Sequence, residues 1–474
     1  MRSHRWYAVP ALLLFMTVGP SLQVLAQTDE EYFQTFPFNF SNPGARSSAM
    51  GGAFIGVADD ASAAAANPAG LTNLTRRQLY LEYKNLYTPV AKLGGFDSVL
   101  TGSGTLDGPR VSLPGFINFA VPLNDHVTVA VSEHQFLSYK DHFDLEARRA
   151  ISITDPLFPA MNADVNFSGL SFSGAVGLAV NRKLRLGLAG SINRLAASVD
   201  ANRARVLAAG GVCETCAAIP STEIHDSAFA FGFTGGALVQ VNDQFSFGGV
   251  YAFEPRFTLA ERVKPGQAYP GAARSDTSWS VPMNTPSRAG AGVAYRPSQR
   301  VLAVFDVDYV QYSQLVSNQQ LVLFRHIESF TGSSGITADT SGRVADPSQF
   351  KIKDAADLHG GVEFNLVRGS NPVFVRYGVS RTAPHSVTYK TCPGDIHSPS
   401  FGSCDVVAQY YFSQNTGAVG IQGDPSRRVL LGHAETGVSI GAGVVVGRRT
   451  QIDGAFLTTS YRRQEFVLSS AIRF

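Results

Sequence analysis

The chain has little charge. Asp, Glu, Lys and Arg make up 16% of its residues and leave a formal net charge of +2, against ~25% charged residues in ordinary soluble domains. No basic cluster breaks that balance, which argues against nucleic acid as a partner. Beyond the first 26 residues there is no uninterrupted apolar run of the ~20 residues that a membrane-spanning helix needs. Cysteine is scarce, with four residues in 474, arranged as two local pairs, Cys213 with Cys216 and Cys392 with Cys404. No further thiol or His-x-His pair accompanies Cys213 and Cys216 at zinc spacing, and no βαβ pattern surrounds them as a redox site requires. Two disulfides stapling exposed loops are the better reading. The ten histidines are scattered without HExxH or another metal spacing. Gly437-Val438-Ser439-Ile440-Gly441 fits GxSxG, but a nucleophile elbow needs a strand, a sharp turn and a helix, and these five residues lie mid-strand. No catalytic constellation, cofactor motif or metal site is visible, so the chain reads as a non-enzyme.

What is abundant points elsewhere. Arg2, His4 and Arg5 precede an apolar stretch over residues 8–18 and then Val24-Leu25-Ala26, the pattern of a secretory signal peptide spanning 1–26; the apolar run is short for a membrane anchor. Gly reaches 46 residues and Phe 32. Low charge, many glycines and many aromatics suit a closed transmembrane barrel, whose lipid face is apolar and whose interface girdles are aromatic.

From residue 77 onward the chain alternates apolar with polar or small residues and then turns. Val301, Ala303, Phe305, Val307 and Tyr309 share one face, with Asp306 and Asp308 on the other. Leu184, Leu186, Leu188 and Ile192 oppose Arg185, Ser191 and Asn193. Phe245, Phe247, Tyr251 and Phe253 oppose Gln244, Ser246 and Glu254. This pattern predicts about fourteen antiparallel strands, near 77–86, 115–121, 126–139, 165–180, 184–199, 227–241, 245–254, 287–296, 301–314, 357–367, 373–381, 433–446, 450–461 and 464–474, close to the ~9–11 residues a tilted spanning strand needs. None of the 24 prolines falls inside these segments, as the ladder requires. Short turns such as Asn124-Asp125, Asn181-Arg182-Lys183 and Asn242-Asp243-Gln244 alternate with long loops at 87–114, 140–164, 200–226, 255–286, 315–356 and 382–432. In outer-membrane barrels the short turns are periplasmic, which predicts a Gram-negative outer-membrane location, periplasmic chain ends and extracellular cysteine pairs. A soluble sandwich or propeller is disfavoured by that alternation and by the lack of a repeat of ~40–50 residues. Phe466, Leu468, Ser470, Ile472 and the terminal Phe474 look like the signal read by the outer-membrane assembly machinery.

Residues 27–76 do not read as strands. Phe33, Phe36, Phe38 and Phe40 are followed by Gly51-Gly52-Ala53-Phe54 and by an alanine-rich stretch from Val57 to Leu71. Asp60 is placed to cap a short helix, and Pro68 biases Asn67 out of helical conformation, ending it. The run from Gly51 to Ala69, with Gly-Gly-Ala, Ala-Asp-Asp-Ala and Asn-Pro-Ala elements, is similar to the N-terminal hatch of the FadL/TodX family of outer-membrane transporters. Residues 288–297 with 305–309, 358–364 and 374–378 look like barrel hairpins of that family. The resemblance covers nearly all the mature chain except its loops.

It implies an all-β protein, a transmembrane antiparallel β-barrel over 77–474 plugged by a hatch over 27–76, that takes up long-chain fatty acids or other hydrophobic molecules with no cofactor. It further implies a kink in the third strand that lets ligand leave sideways into the membrane lipid. Ser132, Glu133 and His134 interrupt that strand with polar residues, as a kink or as ordinary lumen lining. Gly51, Gly52, Asp59, Asp60, Asn67, Pro68 and Ala69 are the hatch candidates. Asp59 and Asp60 either cap or meet basic lumen residues such as Arg185. The four phenylalanines pack the plug or touch ligand. Related barrels of the PorV kind share the hatch motif and serve protein secretion, an alternative role in which loops 315–356 and 382–432 would bind another protein.

Overall fold

The computed structural model describes residues 42–87, 110–145, 160–204, 221–264, 277–316, 350–367, 371–384, 434–447, 449–460 and 464–474, with short fragments between them. Alternating strands need a surface with two unlike sides, and a long sheet removes its unpaired edges by closing on itself. Fourteen strands do so here: β1 (Gln78–Tyr87), β2 (Arg110–Pro122), β3 (Val127–Leu145), β4 (Ala160–Ala179), β5 (Leu184–Ala204), β6 (Ser221–Gln240), β7 (Phe245–Phe253, continued by Arg256–Lys264), β8 (Thr277–Asn284, continued by Arg288–Ser298), β9 (Val301–Val310), β10 (Ala355–Val367), β11 (Val373–Thr382), β12 (Glu435–Val446), β13 (Thr450–Thr459) and β14 (Gln464–Arg473). Each pairs antiparallel with the next, and β14 closes on β1 with Gln78 opposite Arg473. The two pieces of β7 and β8 keep one register across their breaks, with Ala252 opposite Arg288 and Arg256 opposite Asn284.

One rim carries the short turns, and three of them use the same chemistry. Asn124, Asn181 and Asn242 each accept two backbone N–H bonds through the side-chain oxygen, from residues two and three positions on, at 2.8–2.9 Å. An Asn side chain mimics a turn of backbone in this way. The outer face is apolar over a band. On β4, β5 and β6 it is built by Phe172, Val176 and Leu178, by Leu186, Leu188 and Ile192, and by Phe229, Phe231 and Phe233, all exposed. Phe172, Ile192 and Phe231 lie in one cross-strand row, and a polar row of Asn166, Ser198 and His225 lies above it. A band of this kind matches the ~25 Å apolar belt of outer-membrane barrels.

The wall is taller than the sequence suggests. Strands β3 to β6 extend into the stretches read as loops at 140–164 and 200–226, and 255–286 contains strand at both of its ends. The strand expected over 301–314 instead ends at Val310 and passes into a single-turn 3-10 helix, Tyr312–Val316. Prolines do enter the strands, contrary to expectation, but only where no ladder donor is needed. Pro114 adjoins the bulge opposite Glu82 and Tyr83, Pro297 falls in the irregularity between Tyr295 and Ser298, Pro122 ends β2, and Pro282 lies on the upper part of β8, which pairs only with β7. Alternation finds the apolar belt well and misses the ends of strands that run on above it, because there the outer face is no longer apolar.

Ahead of β1, residues 42–74 fill the lumen. They form α1 (Ala45–Ala49), α2 (Ala63–Ala66) and a 3-10 turn, Pro68–Asn73, and their alanines are almost wholly buried. Such short helices are not stable alone; the surrounding wall holds them.

Candidate functional site

The plug is fixed to one side of the lumen by charge. Arg46 in α1 donates to both oxygens of Glu363 on β10, at 2.8 and 3.1 Å, and to Asp59. Glu363 also receives Arg376 Nε at 2.7 Å, and Arg376, with no exposed surface, donates through Nη1 to Asp453 at 2.7 Å. Arg296 completes the set with a 2.9 Å bond to Asp59. Charges taken out of water need partners of this kind. Burial opposes ionisation of Asp59, but Arg46 and Arg296 together hold its carboxyl below the usual range; burial pushes the Asp60 carboxyl up, only partly offset by Arg46. Around this network the wall grips plug backbone. Asp306 Oδ2 accepts from Phe54 N and Ile55 N, Ser439 Oγ bridges Ala49 O and Gly51 N, and His359 Nδ1 lies 2.7 Å from Gly51 O.

Gly51 and Gly52 occupy positive φ, at 70° and 91°, a region that glycine enters without steric cost. On the wall side Gly378 and Gly361 are bare for a second reason: a Cβ at either would run into Gly51 or Met50 of the plug. Asn67 is fully buried and makes three contacts. Its Nδ2 donates to Ile55 O and Ala237 O, both at 3.1 Å, and its Oδ1 accepts from Ala69 N at 3.3 Å. Asn67 thus caps the 3-10 turn that Pro68 begins, and Pro68 and Ala69 lie against Gly187 of β5. Asp60 accepts from the backbone and hydroxyl of Ser62, just ahead of α2. Asp59 meets Arg46 and Arg296 rather than Arg185.

The opposite side of the lumen is apolar. Phe136 and Leu137 of β3, Val165 and Phe167 of β4, Leu195 of β5, and Phe257, Leu259 and Met283 of the upper β7–β8 hairpin form one buried cluster. Phe136 and Phe257 stack with ring centroids 5.9 Å apart and planes 6° from parallel. Pro255 and Pro286 interrupt the two strands of that hairpin at the same level, beneath Phe257 and Met283.

Phe136 is also the irregular residue of β3. The β3–β4 ladder slips between Gln135 and Leu137, and among the described residues the β2–β3 ladder ends at Phe116 opposite His134. Above that point β2 pairs with β1 and β3 with β4, and among the described residues the edge of β3 is paired again only at Phe143 and Asp144, by the fragment Thr105–Leu106, so a bounded seam opens in the wall. Ser132, Glu133 and His134 themselves sit in regular pairing with Asn118, Ile117 and Phe116. The irregularity therefore falls two residues beyond the polar triplet, at an aromatic residue, because a bulge turns two successive side chains to one face, and both Phe136 and Leu137 point inward. At the foot of the seam Asn118 Nδ2 donates to Ala61 O of the plug.

Sequence reasoning did not single out Arg46, Glu363, Arg376, Asp453 or the cluster around Phe136. The wet faces of β10, β11 and β13 carry charges in strands that cross the membrane, which was the available signal. Residues 1–26, Phe33, Phe36, Phe38 and Phe40, the four cysteines and most of 382–432 lie outside the described residues.

A closed fourteen-stranded barrel with an internal plug and an outer apolar belt defines an outer-membrane channel protein. Residues 33–364 match the family described as outer membrane protein transport protein (OMPP1/FadL/TodX), and the chain belongs to that family. Its members are channels and not enzymes. Among solved structures the chain is similar to a FadL homologue of Pseudomonas aeruginosa, with TM-score 0.56 and 17% identity over 92% of this chain and 99% of that one. The toluene transporter TbuX of Ralstonia pickettii gives 0.55 and 12%, and the toluene transporter TodX of P. putida 0.56 and 11%, each over 92% of this chain and 99% of the other. At these identities the likeness concerns the fold. No curated protein sequence matches the chain.

Proposed function

We propose that the protein takes up long-chain fatty acids or other small hydrophobic molecules across the outer membrane by diffusion, with lateral release through the seam between β2 and β3. The observation that carries this reading is the coincidence at Phe136: the residue at which β3 bulges, just above the last β2–β3 pair, is also a member of the apolar cluster inside the lumen. Burial of each methylene contributes ~0.8 kcal/mol, so an apolar surface of this kind holds an acyl chain or hydrocarbon without any chemistry. The plug obstructs the axial route, and the seam offers a route into lipid beside it. In this reading the rim of short turns and both chain ends face the periplasm, the first 26 residues are removed on export, and the C-terminal Phe474 strand is read by the assembly machinery.

Native mass spectrometry of the purified full-length barrel, with extraction of bound lipid, tests the proposal. A stoichiometric acyl chain or hydrocarbon that is lost on Phe136→Asp supports it and names the cargo. An empty barrel that co-purifies with a protein points instead to the secretion-associated role.

A further inference from the structure

We propose that the wall contains a second lateral opening, between β6 and β7, through which small hydrophobic molecules dissolved in the outer leaflet reach the apolar cluster. This rests on the transport reading above and adds a way in to its way out. The β6–β7 ladder is regular from Ser246 opposite Gln240 to Phe253 opposite Phe233, and resumes only at Glu261 opposite Ile224, one residue out of register. Among the described residues no ladder pair joins 225–232 to 254–260. Both strands are otherwise well held: over this stretch β6 remains paired to β5, and the upper β7 is paired to β8 from Arg256 to Val263. The wall therefore lacks its ladder along one line, where β6 and the upper β7 still run side by side, and is fully paired on either side of it.

One backbone donor at the split is met by a side chain of β6, and the break beside it is closed by bonds between β7 and β8. Ala260 N donates to Asp226 Oδ2 at 2.7 Å, Glu254 N donates to Ser287 Oγ at 3.2 Å, and Thr285 N donates to Pro255 O at 3.1 Å. Pro255 itself has no N–H to strand. Unpaired backbone facing hydrocarbon is costly and is tolerated where it lines protein or a cavity, so a split satisfied in this manner persists without sealing.

Its height and its two faces identify what would pass. Phe231 shares the cross-strand row of Ile192 and Phe172 in the apolar belt, while His225 shares the polar row of Ser198 and Asn166 above it. The split thus straddles the upper boundary of the belt, at the level of the outer leaflet. On the outside Phe229 and Phe231 are 68% and 76% exposed. On the inside the same stretch of β6 presents Asp226, Ala228, Ala230 and Gly232, and the two alanines pack against the cluster containing Phe257 and Leu259. Large aromatics face lipid, small residues line the split, and an apolar cluster lies directly behind. That arrangement suits a flat or slender hydrocarbon and excludes a hydrated solute. Asp226 is the latch, a positioning residue that holds the β7 edge to β6 through one charge-assisted bond.

Uptake of radiolabelled naphthalene by cells producing the full chain, together with naphthalene binding to the purified barrel, tests the proposal. Ala230→Trp fills the split from the lumen side and is expected to lower uptake about fivefold. Asp226→Ala removes the latch and is expected to raise uptake, and Asp226→Asn, which keeps the acceptor, to restore it. Where Ala230→Trp fails to assemble, Ala228→Leu replaces it. Wild-type uptake in both Ala230→Trp and Asp226→Ala would overturn the second opening. Uptake by the wild type no greater than by cells lacking the protein would instead overturn the transport reading.

Discussion

Two regions of the lumen wall differ in how they hold what they touch. From the lower part of β8 round to β14 the wall grips the plug through Glu363, Arg376, Asp453, Arg296 and Asp306, with ion pairs and backbone bonds of defined geometry. From β3 to the upper β8 it presents Phe136, Phe167, Leu195, Phe257 and Met283, which hold by area alone. Ion pairs and hydrogen bonds fix position, because each is lost within an ångström or so of displacement. Apolar contact is non-directional and lets a ligand slide. A plug that must stay needs the first kind, and a path along which cargo must move needs the second. Both wall seams, at Phe136 and at 225–232, lie on the apolar side.

The largest test of this division is Glu363→Ala. It leaves Arg46 and Arg376 buried beside an empty space, at a cost of roughly 3–5 kcal/mol, and should release the plug to added protease while the barrel keeps its heat-modifiable gel mobility. If plug and barrel instead fail together, the charged side supports the wall as much as the plug. Next is Asn67→Ala, which removes a fully buried amide with three partners. Each acceptor left unmet costs ~1–3 kcal/mol, so limited proteolysis should open the chain near residues 67–74 while α1 stays protected. Phe136→Ala acts on the other side. It should weaken binding of a hydrophobic ligand about tenfold, ~1.4 kcal/mol, with plug protection unchanged; a loosened plug would show that the two sides are not independent.

The smallest effect is expected from Asp59. Its carboxyl is held below the ordinary value, so its contribution is fully present above the unfolded pKa of ~3.9 and is lost as pH falls through the lower folded value. Asp59→Asn should remove that acid-dependent part of plug protection, on the order of 1 kcal/mol for a partly exposed pair. Protease sensitivity measured across pH 2.5–5 should lose this component in the variant and keep it in the wild type.

Much of the barrel was legible because each strand solves a local problem. Phe305 and Tyr309 face out and Asp306 and Asp308 face in, Leu186 and Leu188 are exposed while Asn193 is buried, and the Asn-centred turns stand where the alternation breaks. The hatch was legible as a motif, through Gly51-Gly52 and Asn67-Pro68, yet the partners of those residues were not. Asp59 is expected from the sequence to cap or to meet basic lumen residues such as Arg185, and its basic partners are Arg46 and Arg296. Glu363 and Arg46 lie 317 positions apart in the chain, and nothing in the spacing of either announces the other. The polar triplet Ser132-Glu133-His134 drew attention as an interruption of pattern; the β2–β3 ladder ends at its last residue, His134, and the bulge in β3 follows at Phe136, which fits the alternation.

The sequence by itself determined the two-faced strands, their number, the rim of short turns and the family, because these follow from period-two alternation, turn chemistry and short motifs that act over a few residues. Only the tertiary structure decided which charges lock the plug, where the wall is split, and that charge and oil are segregated to opposite sides of the lumen. Those features depend on which strands closure brings face to face, and on prolines and bulges whose effect is set by the neighbouring strand rather than by their own.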